Sequence, residues 1–214
     1  MPDPTAPTAE PLQLRVVRDV VLEAELARPP DTPRAAAVLC HPHPQYGGTM
    51  RSIVISELFR TLPARGVACL RFNFRGVEGS TGVHGEGRGE RADAVAAVDA
   101  LVAAVPDGIP IVLAGWSFGG DVTLSVHDDR LAAWLAIAPP LRFAEVGPVA
   151  ADPRPKHLVL AEHDEVRPPE EIAAVGEGWT ATTVETVPGA SHFFVGRTDA
   201  VVAAADRLIT RVAR

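Results

Sequence analysis

The sequence predicts an α/β fold built on a mostly parallel sheet, and three observations carry that prediction. Short continuous apolar runs recur at 35–40, 67–72, 109–114, 131–138, 157–161 and 181–187, the pattern of strands buried on both faces. Segments with apolar residues three and four apart separate several of these runs, as crossover helices would. The chain has 214 residues, of which 47% are apolar and 22% charged, so one large domain with a full core is expected rather than a disordered or fibrous chain.

The elements follow in order. Residues 1–11 carry four prolines and no apolar period, so they are expected to form a flexible tail, with one domain over 12–214. Residues 22–26 alternate apolar and polar, and 14–17 precede them across Arg18-Asp19, which predicts an antiparallel pair at a sheet edge. After the strand at 35–40, Met50, Ile53, Val54, Leu58 and Leu62 mark a helix capped by Thr49 and stopped by Pro63 and Gly66. Ala94, Val95, Val98, Leu101, Val102 and Val105 form a second helical stripe, ended by Pro106. A third helix is expected over 118–126 and a closing one over 200–212. Between the strand near 131–138 and the next strand lie residues 141–155, too few for a cap domain, so an open site is expected.

Charge and cysteine content narrow the function classes. Lys plus Arg is 20 against 27 Asp plus Glu, a net charge of −7, which leaves no broad basic face for nucleic acid. Cys40 and Cys69 are too few for a disulfide framework and favour a reducing compartment. The acidic, proline-rich start is not expected to act as a signal peptide, and no uncharged apolar run approaches the ~18 residues that span a bilayer. A cytoplasmic protein with no membrane partner is expected.

Gly115-Trp116-Ser117-Phe118-Gly119 carries the strongest chemical signal, because it follows a buried strand and opens a helical pattern. A serine on such a tight strand-to-helix turn is exposed for attack, and the flanking glycines avoid clashes. A serine hydroxyl needs a base to take its proton and a carboxylate to orient that base. Downstream, the strand at 157–161 runs into Glu162-His163-Asp164-Glu165, and the strand at 181–187 leads to Ser191-His192. Asp164 is the preferred acid, with Glu162 and Glu165 as alternatives, and His192 is the preferred base over His163. Backbone N–H groups must also stabilise the oxyanion. Phe118 supplies one, and the second is expected from His41-Pro42-His43-Pro44-Gln45-Tyr46, with His43 ahead of Gln45 and Tyr46, since proline has no N–H.

Other features are weighed against this site. His41 and His43 have no evident third ligand, so no metal is expected. The glycines at 79, 82, 85, 87 and 89 miss the dinucleotide and phosphate-loop patterns and read as a mobile loop near the site. His127 is read as meeting a helix end, and His84 and His157 as having no special role. Tyr46, Trp116 and Phe193 are candidate substrate contacts, with Phe118, Phe143 and Phe194 as further apolar candidates.

With these residues in view, the chain resembles the α/β-hydrolase superfamily. Within it, the chain is similar to a small bacterial group of carboxylesterase-like or dienelactone-hydrolase-like serine hydrolases with a His-Pro-His-Pro loop. The resemblance runs over about 12–212 and rests on His41-Pro42-His43-Pro44 with Gly47-Gly48-Thr49-Met50 and on Phe72-Asn73-Phe74-Arg75-Gly76 with Gly79-Ser80. Gly89-Glu90 and Asp93, the turn around Ser117, Asp164, and Gly189-Ala190-Ser191-His192 complete it. It implies Ser117 as nucleophile, Asp164 as acid and His192 as base, in an eight-stranded sheet flanked by helices with only the second strand antiparallel and no cap domain. Arg75 is expected to support its turn rather than bind substrate. The expected function is a cofactor-free carboxylesterase acting on small short-chain esters, as a monomer or homodimer. The alternatives are an acyltransferase, thioesterase or lactone hydrolase on the same residues, or a silent scaffold that binds a ligand or partner.

Overall fold

The computed structural model of the protein describes residues 8–16 and 19–214. Its strands are β1 (Ala9–Arg15), β2 (Val21–Ala27), β3 (Ala35–Cys40), β4 (Val67–Phe72), β5 (Ile111–Trp116), β6 (Leu131–Ile137), β7 (Lys156–His163) and β8 (Thr182–Ser191). They form one eight-stranded sheet in the order β1-β2-β4-β3-β5-β6-β7-β8. β2 runs antiparallel to β1 and β4, and the other neighbouring pairs are parallel.

Burial on both faces explains the continuous apolar runs of the inner strands, whereas β8, expected to be buried likewise, lies at the sheet edge, where only Val187 and Ala190 are buried. In β3, Ala36, Val38 and Cys40 join one core layer, while Ala35, Ala37 and Leu39 join the other. Helices α2 (Arg88–Ala104), α3 (Phe118–Thr123) and α5 (Pro169–Glu177) cover the first layer, and α1 (Ile53–Thr61) and α6 (Thr198–Val212) the second. On α6, Val201, Val202, Leu208 and Ile209 face the sheet, and each stabilises by about 2 kcal/mol on leaving water. A short α4 (Gly147–Ala151) is the one helix between β6 and β7.

Several expectations shift, each for a physical reason. Residues 1–7 of the expected tail lie outside the described residues, but Ala9, Glu10 and Pro11 already pair with Ala27, Leu26 and Glu25. This edge strand is mostly exposed, so backbone hydrogen bonds hold it without an apolar pattern, and an edge tolerates Pro11. Val17, expected in that strand, lies outside the described residues. α1 starts at Ile53 after Ser52 rather than Thr49. β5 begins after Pro110, two residues later than expected, and so includes Gly115 and Trp116. α2 starts six residues before Ala94 because Glu90 and Asp93, both fully buried, occupy its inner face where apolar residues would have shown the period. α3 ends at Thr123 instead of 126. α5 was hidden by Pro168-Pro169, yet Pro169 sits in its first turn, where the missing N–H costs nothing.

Candidate active site

The segments singled out in the sequence gather at the carboxyl ends of β3, β5, β7 and β8, the edge where open α/β sheets place ligands. Ser117 connects β5 to α3 with φ 55° and ψ −122°, a region costly for any residue with a Cβ. The turn is held from both sides: Ser117 N–H donates to Ile137 O at 2.8 Å, and Gly120 and Asp121 N–H donate to Ser117 O. Gly119 lets the turn press against the end of β3, since a Cβ there would lie 2.2 Å from Cys40 O.

That contact sets Ser117 beside the other segments. His192 Nε2 lies 2.9 Å from Ser117 Oγ, and His192 Nδ1 lies 2.9 and 3.0 Å from the two Asp164 oxygens. A carboxylate only accepts, so Nδ1 carries the ring proton and the Nε2 lone pair faces the serine hydroxyl. The His192 and Asp164 side chains are only 5% and 6% exposed, so water competes little with these bonds. Asp164 Oδ1 also accepts N–H groups of Val166 and Arg167, which fixes the carboxylate. The His192 backbone is pinned by its own N–H to Glu165 Oε2 at 3.1 Å and by Trp116 Nε1–H to its carbonyl at 3.0 Å.

The alternatives take other places. Glu162 accepts the Gly189 N–H, Glu165 accepts the His192 N–H, and His163 is exposed beside Glu162. In the loop after β3, Gln45 N–H donates to His43 Nδ1, while Tyr46 and Gly48 N–H donate to His43 O. Among the described residues nothing accepts the N–H of His43 or of Phe118, the first residue of α3. Gly48 closes this loop, because a Cβ there would lie 2.1 Å from Pro42 O.

The first histidine of the loop is structural. His41 is fully buried, its Nδ1–H donates to Pro42 O at 2.6 Å, and its Nε2 accepts the Phe74 N–H at 2.9 Å. Burial lowers its pKa to about 3, so it is neutral at pH 7. Among the described residues no group of His, Cys, Asp or Glu is arranged to hold a metal. The carboxylate of Glu90 accepts the N–H groups of Gly85 and Gly87, so the glycine-rich loop serves its own chain. Arg75 donates its backbone N–H and guanidinium N–H groups to Asp93, a support for the turn.

A cavity of about 730 Å³ opens over Ser117, and Tyr46, Trp116, Phe118, Phe143 and Phe193 line it. Tyr46 and Phe193 stand exposed at its rim, whereas Phe194 is buried in the core and lines nothing here. Two side chains escaped the sequence reading. The His84 ring packs on His43 and Phe118, with Nδ1 2.9 Å from Glu90. Asp121, buried on α3, accepts the N–H groups of Leu141, Arg142 and Phe143 and so holds one cavity wall. The only sequence signal for it was a charged residue in an otherwise apolar helix. His127 meets a helix end, but that of α4: its Nε2 lies 2.9 Å from the carboxylate of Asp152, the residue that caps α4, and not at the end of α3.

Comparison with known proteins agrees with this architecture. No protein-family model matches the chain. Uncharacterized protein RP471 of Rickettsia prowazekii is 29% identical over 189 residues, covering 83% of this chain and 79% of that protein. XC6422 from Xanthomonas campestris, an α/β serine hydrolase without a lid, superposes with a TM-score of 0.84 at 28% identity, over 98% of this chain and 97% of that one. An alpha-beta serine hydrolase homologue from Coxiella burnetii is 30% identical with a TM-score of 0.83, over 95% of this chain and 97% of that one. With an identity of that level sustained across nearly the whole length of both chains, this protein belongs to the α/β serine hydrolases.

Proposed function

We propose that the chain is a carboxylesterase that cleaves small, short-chain acyl esters through Ser117, His192 and Asp164. One observation carries the reading: the unbroken line of hydrogen bonds from Ser117 Oγ to His192 Nε2 and from Nδ1 to Asp164, sheltered from water. Ser117 Oγ attacks the ester carbonyl carbon while His192 Nε2 takes the hydroxyl proton, and Asp164 stabilises the imidazolium. As the tetrahedral adduct collapses, the bond to the alcohol oxygen breaks and His192 returns the proton to that oxygen. A water molecule, deprotonated by His192, then attacks the acyl carbon; as the bond to Ser117 Oγ breaks, His192 returns the proton to Oγ and the acid is released.

Charge on the adduct oxygen calls for fixed donors, worth ~3 kcal/mol each in such sites. The Phe118 N–H fills one place because it heads α3 without an acceptor. His43 N–H fills the other by elimination, since Gln45 and Tyr46 spend theirs within the loop and Pro42 and Pro44 have none. Tyr46, Trp116 and Phe193 offer apolar surface to the substrate. With only the five-residue α4 between β6 and β7, the mouth stays uncapped, which suits small soluble esters. The free, buried thiols of Cys40 and Cys69 suit a cytoplasmic setting, and no helix among the described residues is long and apolar enough to cross a membrane.

The test is hydrolysis of p-nitrophenyl esters from acetate to long acyl chains, with Ser117→Ala as control. Turnover is expected to peak at short chains and to fall by roughly 10⁴-fold or more in the variant. Substantial turnover by Ser117→Ala would refute the assignment.

A further inference from the structure

Beside the histidines, two side chains on the cavity wall carry charge, Glu165 and Arg142. Glu165 is occupied, because its carboxylate accepts the His192 N–H. Arg142 makes one side-chain hydrogen bond, from Nη2 to Val166 O at 3.1 Å, and among the described residues no carboxylate pairs with it. Most of its N–H donors therefore remain open, in contrast to Arg75, whose Nε and Nη2 both donate to the buried Asp93 carboxylate.

The side chain is exposed, but the main chain that carries it is firmly anchored. Asp121 Oδ2 accepts the Arg142 N–H at 2.8 Å, and the flanking N–H groups of Leu141 and Phe143 bind the same carboxylate at 2.8 and 2.9 Å. Leu141 holds φ 54°, a strained conformation that persists only where neighbours impose it. Val166, which receives the guanidinium, donates its own N–H to Asp164 Oδ1. Arg142 is thus tied by its main chain to the helix after Ser117 and by its side chain to the segment that carries Asp164.

We propose that Arg142 is a specificity-determining residue that receives a carboxylate on the ester substrate, so that half-esters of short dicarboxylic acids are preferred over neutral esters. A planar guanidinium with several free N–H groups matches a carboxylate in a paired, charge-assisted geometry that a neutral acyl chain cannot use. The inference rests on the esterase reading above and names the substrate class for that site.

The experiment compares mono-4-nitrophenyl glutarate with 4-nitrophenyl valerate in the full chain and in Arg142→Gln and Arg142→Lys. The readout is the ratio of the two kcat/KM values, which removes any loss common to both esters. The ratio is expected to favour the acidic ester in the wild type, to fall about tenfold in Arg142→Gln, and to recover in part in Arg142→Lys. An unchanged ratio in Arg142→Gln, or a loss equal for both esters, overturns the proposal while leaving the esterase reading intact. If the wild type turns over neither ester, the esterase reading fails separately, and calorimetric titration with glutarate decides the anion site. Binding that weakens in Arg142→Gln supports the site, and equal or absent binding in both proteins overturns it.

Discussion

The backbone at Ser117 offers a measurement in which the usual order of two residues should invert. Its φ of 55° and ψ of −122° suit glycine and cost a residue with a Cβ about 1–3 kcal/mol. Ser117→Ala removes the hydroxyl and keeps the Cβ, whereas Ser117→Gly removes both. Each variant loses the 2.9 Å hydrogen bond to His192, so that cost cancels between them. What differs is the strain, which glycine releases, less the freedom that glycine adds to the unfolded chain, ~0.4–1 kcal/mol. The balance makes Ser117→Gly more stable than Ser117→Ala by about 1 kcal/mol, although glycine is ordinarily the less stable of the pair. In a chain of 214 residues this corresponds to a Tm difference of roughly 2–4 °C. Urea unfolding followed by tryptophan fluorescence gives both midpoints, with equal m-values as the condition for comparison. Equal stability, or a more stable alanine variant, would refute the claim that the fold holds this residue under strain for chemistry.

Two further perturbations test the site and its support. Asp164→Asn should lower kcat by about 10³-fold or more, because an amide favours the wrong ring tautomer of His192, while Glu165→Gln, which touches only the His192 main chain, should cost about tenfold at most. Steady-state kinetics with one p-nitrophenyl ester compares them, and an equal loss in both would undo the choice of acid. Burial raises the Asp121 carboxyl to about 6, against about 4 in an unfolded chain. Between those values the folded state holds the proton that the unfolded state has released, so this group makes stability fall as pH rises, by about 3 kcal/mol in total. Unfolding free energies measured from pH 4 to 7 should therefore move in favour of Asp121→Asn relative to the wild type by that amount. A difference that stays constant with pH would show that Asp121 titrates as an ordinary carboxyl.

Local chemistry made much of this protein legible in its sequence. Strands buried on both faces, such as β3 and β5, must be apolar throughout, so their runs stand out without any knowledge of neighbours. Ser117 and Asp164 were legible because each directly follows such a strand and His192 because it follows the edge strand β8, and the alternation of strands and helices already implies that the ends of parallel strands share one edge. Where a local pattern was absent, nothing in the chain's periodicity marked the element. The exposed edge strand at Ala9–Arg15 is held by backbone bonds, and the first turns of α2 turn buried carboxylates inward. The sequence preferred Asp164 over Glu162 and Glu165, but the physical reason lies in the fold: Glu162 belongs to β7 and accepts the Gly189 N–H, Glu165 accepts the His192 N–H, and Asp164 alone of the three meets the His192 ring. Which loop N–H remains open to an oxyanion depends on hydrogen bonds that close the His43 turn on itself. The anchoring of residues 141–143 by Asp121 joins positions twenty or more apart. Sequence periodicity reports how a residue meets the core, whereas pairings between polar groups distant along the chain exist only once the sheet has brought its strand ends together.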